Sequence, residues 1–110
     1  MKLLCTCHLE IFIEISVRQV EGGLAQLFAG CDALIHEISL GMYRNTGGYI
    51  TSNGHSSVYE AVELANATGA KDLYFVHHSR DIEDEVMAYA GNNFKGENAI
   101  WPDIGKEYLV

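Results

Sequence analysis

The stretch from Ser57 to Val76 constrains the fold more than any other part of the chain. Ser57 and Glu60 have the S-x-x-E spacing of a capping box, in which two side chains satisfy the N–H groups that a helix start leaves open. Val58, Ala61, Val62 and Ala65 then recur at the spacing of a buried helical stripe. Gly69 follows as a residue that readily takes the left-handed conformation closing a helix. The run DLYFV (72–76) begins almost at once, apolar and of the length of a buried strand. A helix feeding directly into such a strand predicts an α/β fold, with helices shielding at least one face of a mixed sheet.

The flanking segments extend the pattern. HLEIFIEISV (8–17) alternates and is rich in isoleucine, which predicts a strand. Val20, Leu24, Leu27 and Phe28 predict an amphipathic helix ended by Gly30, although Gly22 and Gly23 leave its start undefined. DALIHEI (32–38) predicts a second buried strand, and the three together predict a strand–helix–strand unit. The polar, glycine-rich stretch at 41–54 is a long connection, and such connections often carry function. A further helix is expected from Ile82 to Ala90. Two short strands, NAIW (98–101) and KEYLV (106–110), are expected on either side of a Pro102-Asp103 turn. With 110 residues, 48% hydrophobic content and a single proline, the whole chain is expected to form one folded domain, 1–110.

Charge narrows the function classes. The net charge is -8 and only seven residues are lysine or arginine, which disfavours nucleic acid as a partner because phosphate neutralisation supplies most non-specific affinity. His8, Glu10 and Glu14 interrupt the apolar opening before a signal-peptide core or membrane span could form, so a cytoplasmic protein without membrane association is expected. Cys5, Cys7 and Cys31 are odd in number and lack a framework spacing, as thiols of a reducing compartment do. Cys5 and Cys7 would share one face of a strand, and small buried residues are the favoured reading over a metal pair.

Histidines supply the candidate chemistry. In sheets with helical connections, binding groups gather beyond the carboxyl ends of strands. His36 and Glu37 end one predicted strand, His77 and His78 end another, and His55 lies just before the helix between them. His77 reads equally as a ligand or as a polar residue where a strand meets solvent, whereas the bland reading is favoured for His78. His55 could help cap the helix, and Glu37 could be a surface carboxylate. Together they fit another role: a carboxylate beside a histidine fixes one tautomer and raises its basicity, as a proton-transfer pair requires. His8 and His36 read as structural. Asp81, Glu83, Asp84 and Glu85 suit the N-terminal turn of a helix, where negative charge favours the dipole.

"CDALIHEIS" followed by "GHSSVYEAVELANATGAKDLYFVHHSRD" resembles the C-terminal half of metallo-β-lactamase-fold hydrolases, particularly the ribonuclease Z-like and cyclic-phosphate phosphodiesterase-like branch. That branch shows a D-x-L-I-H-E strand, a helix start reading G-H-S-T (GHSS here) and a histidine-terminated strand, in this order. The resemblance covers roughly residues 20 to 105. It implies half of a four-layer αββα sandwich and a metal-dependent hydrolase acting on phosphodiesters, with zinc or manganese as cofactor. By position, His77 resembles the final metal ligand, and Glu37 and His55 resemble the pair that assists proton transfer to the leaving group.

The departures from that family are as informative. Its chief ligand motif, H-x-H-x-D-H, does not occur in these 110 residues. Its bridging aspartate should precede the helix at 20–29, where this chain reads Ile15-Ser16-Val17-Arg18. Catalytic zinc normally takes three protein ligands and an open position, so a chain retaining one ligand is not expected to hold a catalytic ion or to be active by itself. Two functions remain open: a fragment or subunit of such a hydrolase, and a non-catalytic assembly or small-ligand module derived from one. Half a sandwich leaves an apolar face or an open edge, which predicts a homo-oligomer or a complementary N-terminal-half subunit as partner.

Overall fold

The computed structural model describes residues 2–6, 10–14, 29–43, 55–78, 80–103 and 105–107. Among the described residues, five strands form one sheet: β1 (Lys2–Thr6), β2 (Glu10–Glu14), β3 (Ala33–Glu37), β4 (Asp72–Val76) and β5 (Asn98–Ile100). Their order across the sheet is β2-β1-β3-β4-β5. β1 runs antiparallel to both its neighbours, while β3, β4 and β5 are mutually parallel. Helix α1 (Val58–Thr68) connects β3 to β4, and a short 3-10 turn (Arg80–Ile82) leads into helix α2 (Glu83–Asn93) before β5.

Helix α1 begins as its sequence requires. Ser57 accepts from the Tyr59 backbone, and Glu60 accepts in return from the Ser57 N–H at 2.9 Å, completing the capping box. At the other end Gly69 stands at φ 77°, in the left-handed region, and donates its N–H to the Ala65 carbonyl. The helix buries Val58, Ala61, Val62, Leu64 and Ala65 against Leu34 and Ile38 of β3 and its exit, and against Leu73 and Phe75 of β4. Val86 and Ala90 of α2 join the same core. Leu73, Tyr74 and Phe75 are all buried, the near-continuous apolar burial of a strand inside a parallel sheet. Ile35 and Val76, on the face turned away from the helices, stay half-buried.

The chain differs from the expected order in three places. The strand predicted at 8–17 is β2, described over 10–14, but it does not adjoin β3. β1, which the pattern had not marked, lies between them and pairs antiparallel with each. KEYLV was expected as a strand, yet Lys106 and Glu107 are not in one, and 108–110 lie outside the described residues. Helix α2 runs three residues beyond Ala90 because the Phe94 N–H still finds the Ala90 carbonyl at 2.8 Å. The helix predicted over Val20 to Phe28, the position 15–18, most of the 41–54 connection, and Cys7 and His8 lie outside the described residues.

Candidate active site

Parallel pairing of β3 with β4 sets Glu37 beside Val76, so the chain leaves both strands at the same edge. The Ile38 N–H continues the ladder to the Val76 carbonyl at 3.0 Å. The chain then turns tightly through Gly41 and Tyr43, and the Leu40 N–H to Ser56 carbonyl and Val58 N–H to Gly41 carbonyl bonds hold this turn against the start of α1. These contacts fold two loops over the Glu37 carboxylate, which is only 1% exposed.

A buried carboxylate is costly unless its oxygens are bonded. Glu37 meets that demand with backbone donors: Oε2 accepts from the Ser39 N–H at 2.8 Å, and Oε1 accepts from the Ser56 N–H at 2.5 Å. His55 sits on the solvent side of this carboxylate, with 37% of its side chain exposed and its Nδ1 3.6 Å from Glu37 Oε2. That distance is longer than a hydrogen bond.

His77 completes the group. Its ring centroid lies 6.1 Å from that of His55, with the planes at 73°. Its backbone is in the left-handed region at φ 58°, the one non-glycine residue so placed among the described residues. Unusual backbone of this kind persists only where neighbours enforce it, and it concentrates at working sites. Ser39 is the neighbour here, with its Oγ 3.1 Å from His77 Nδ1.

The three residues singled out from sequence, Glu37, His55 and His77, therefore meet at one edge of the sheet, and neither His36 nor His78 joins them. His78 turns back, bonding the Phe75 carbonyl through Nε2 at 3.1 Å and stacking on Trp101 at 3.6 Å between centroids. His36 is 2% exposed on the helix-covered face, bonded through Nδ1 to the Glu37 carbonyl at 2.7 Å. Burial holds its pKa below the ordinary 6.5, against the opposing pull of the Glu37 carbonyl and the Glu37 and Glu60 carboxylates. The acidic residues at 83–85 occupy the first turn of α2. His55 does not cap α1, since Ser57 does so. Sequence reasoning passed over Ser39 and the backbone of Ser56, the groups that hold the site together. The one available signal was a serine two residues after Glu37, a spacing at which a turn returns its N–H to a side-chain oxygen.

Among solved structures, this chain is similar to the metallo-β-lactamase fold protein YhfI from Bacillus subtilis, with a TM-score of 0.62 at 20% identity over 92% of this chain. The fold is half of a metallo-β-lactamase fold. The chain spans 45% of the length of that protein, which accords with a partial domain. No family model matches the sequence, and no curated protein matches it.

The sequence resemblance implies a metal centre, and the donor set among the described residues does not fit one as it stands. Among the described residues there is no group of three histidine, cysteine, aspartate or glutamate side chains that could hold an ion. Both oxygens of Glu37 are committed to backbone N–H groups, and Cys31 is buried in the core away from this edge. The arrangement is instead a carboxylate, buried and fixed, facing an imidazole that solvent can reach. Among the described residues, no helix is long and apolar enough to cross a membrane.

Proposed function

We propose that this chain is a fragment or subunit of a metallo-β-lactamase-fold hydrolase of the phosphodiesterase type, contributing the proton-transfer half of the site and inactive by itself. The observation that carries this reading is the Glu37–His55 pair: a carboxylate 1% exposed, locked by two backbone donors, with its Oε2 facing a half-exposed imidazole. In this role Glu37 orients the His55 ring through Nδ1. The opposite ring nitrogen, when protonated, delivers a proton to the oxygen that leaves as the ester bond breaks. His77 stands beside the pair, in the position where the resemblance puts a metal ligand.

The missing ligands would come from a complementary polypeptide carrying H-x-H-x-D-H, with zinc or manganese bound only in the assembled form. Ile35 and Val76 support such a partner, since they stay half-buried on the sheet face turned away from the helices. Self-association would cover the same face. The net charge of -8 argues against a polynucleotide as the substrate held by this chain alone.

A non-catalytic assembly or small-ligand module is the second reading, favoured by the absence of a three-residue ligand group among the described residues. The two are separated by measuring metal content and hydrolysis of bis(p-nitrophenyl) phosphate, with zinc or manganese added. The chain is assayed alone and after co-expression with an N-terminal half that carries the histidine motif. The hydrolase reading expects little metal and no turnover alone, and metal-dependent turnover in the complex. A stable complex without turnover would select the module. Turnover by the chain alone, with one ion per chain lost on His77→Ala, would overturn its dependence on a partner.

A further inference from the structure

Ser39 touches both halves of the site. Its backbone N–H donates to Glu37 Oε2 at 2.8 Å, while its hydroxyl lies 3.1 Å from His77 Nδ1 and 3.4 Å from the His77 carbonyl oxygen. The hydroxyl hydrogen has two acceptors to choose from, the His77 carbonyl and a bare Nδ1, and only the first choice makes hydrogen bonds of both contacts. A carbonyl oxygen can only accept, and a serine hydroxyl has one hydrogen to give. With that hydrogen directed to the His77 carbonyl, the hydroxyl oxygen meets Nδ1 as an acceptor, so Nδ1 carries the ring proton. The 3.1 Å separation lies within the usual N–H···O range.

We propose that Ser39 is a positioning residue that holds His77 in its left-handed backbone conformation and in the Nδ1–H tautomer, so that the Nε2 lone pair is presented to the site. The proposal rests on the hydrolase reading for what that lone pair is used for. Its chemical task is to receive a hydrogen-bond donor or a cation brought by the completed site, which the other tautomer could not do. Among the described residues none bonds Nε2, and His77 is exposed, so the lone pair stays accessible. The φ of 58° gives the contact a second purpose: a non-glycine residue held there relaxes when its anchor is removed. Ser39 thus ties the position of the lone pair to the carboxylate that orients His55, through one residue's backbone and side chain.

The test is a long-range proton–nitrogen correlation spectrum of the purified full chain, recorded well above the usual imidazole pKa of about 6.5 so that the rings are neutral. The nitrogen shifts of His77 report directly which ring nitrogen is protonated. In the wild type and in Ser39→Thr, which keeps the hydroxyl, Nδ1 should be protonated and Nε2 bare. In Ser39→Ala the ring should pass mainly to the Nε2–H form that free imidazole favours, while the amide signal of residue 39 stays where the Glu37 bond puts it. A wild-type His77 already in the Nε2–H form, or a tautomer unmoved by Ser39→Ala, would overturn the proposal. Ser39 is exposed and its backbone bond survives in both variants, so a folded spectrum is expected throughout. The spectrum needs neither metal nor turnover. A failed reconstitution with these shifts intact would therefore overturn the hydrolase reading and leave Ser39's hold on His77 standing.

Discussion

Glu37 has a structural task as well as the proposed chemical one, and the two can be measured apart. Its carboxylate is the acceptor for the Ser39 and Ser56 N–H groups in a nearly closed space, so Glu37→Ala removes both bonds at once. Each buried donor left without a partner costs about 1–3 kcal/mol, and urea denaturation should show a loss of at least that size. A change within about 0.5 kcal/mol, the range of ordinary surface substitutions, would mean that the carboxylate does not brace these loops. His36 gives a pH dependence. Burial lowers its pKa, so between that value and the ordinary 6.5 the unfolded chain binds a proton that the folded chain refuses. Its contribution to stability is complete above the ordinary value and falls as pH drops below it, levelling off beneath the depressed one. Denaturation midpoints at several pH values should show this decline, and His36→Phe should flatten it. At this scale the sequence was informative where a residue type is scarce and chemically singular: Glu37, His55 and His77 could be picked out by their places at strand and helix ends. Ser39 had only its spacing from Glu37 to mark it, because serine in a turn is ordinary and its partner lies 38 residues away.

Secondary structure was easiest to read where local chemistry decides it. The Ser57 cap, the apolar stripe and Gly69 act within one helix, so α1 and the strand after it fell where the pattern put them. Ser57→Ala should cost about 1 kcal/mol by loss of the cap. Gly69→Ala should cost about 1–2 kcal/mol, because alanine is strained at φ 77°. Thermal melts of both variants check these values, and an unchanged Gly69→Ala melt would contradict the left-handed closure. β1 was harder to read because five residues of mixed character become a strand only through the neighbours on each side, which no local pattern records. Gly96 shows how tightly β5 is led in: an added Cβ would lie 2.5 Å from the Ala70 carbonyl oxygen and 2.7 Å from that of Lys71. Gly96→Ala should therefore destabilise the chain through a backbone shift at this edge.

At the scale of the whole molecule, the alternation of helices and strands pointed to an α/β fold, and ordered motifs pointed to half of a metallo-β-lactamase fold. The order of strands across the sheet was not legible, since β1 is inserted between β2 and β3 by long-range pairing. Nor could the sequence say that Glu37 would be almost sealed while His55 stays open, because that difference comes from two loops closing over one carboxylate. A chain with half-buried Ile35 and Val76 on the face opposite its helices is expected to associate, and light scattering at micromolar concentration should give a mass above one chain. A monomer would contradict that expectation. The site itself is tested most directly by the turnover number of the complex reconstituted with a histidine-motif half, compared between wild type and His55→Ala. Loss of a positioned general acid should lower it by roughly 10²–10⁴-fold with assembly and metal content unchanged. A His55→Ala complex that turns over within twofold of wild type would contradict the assignment of His55 as the proton donor.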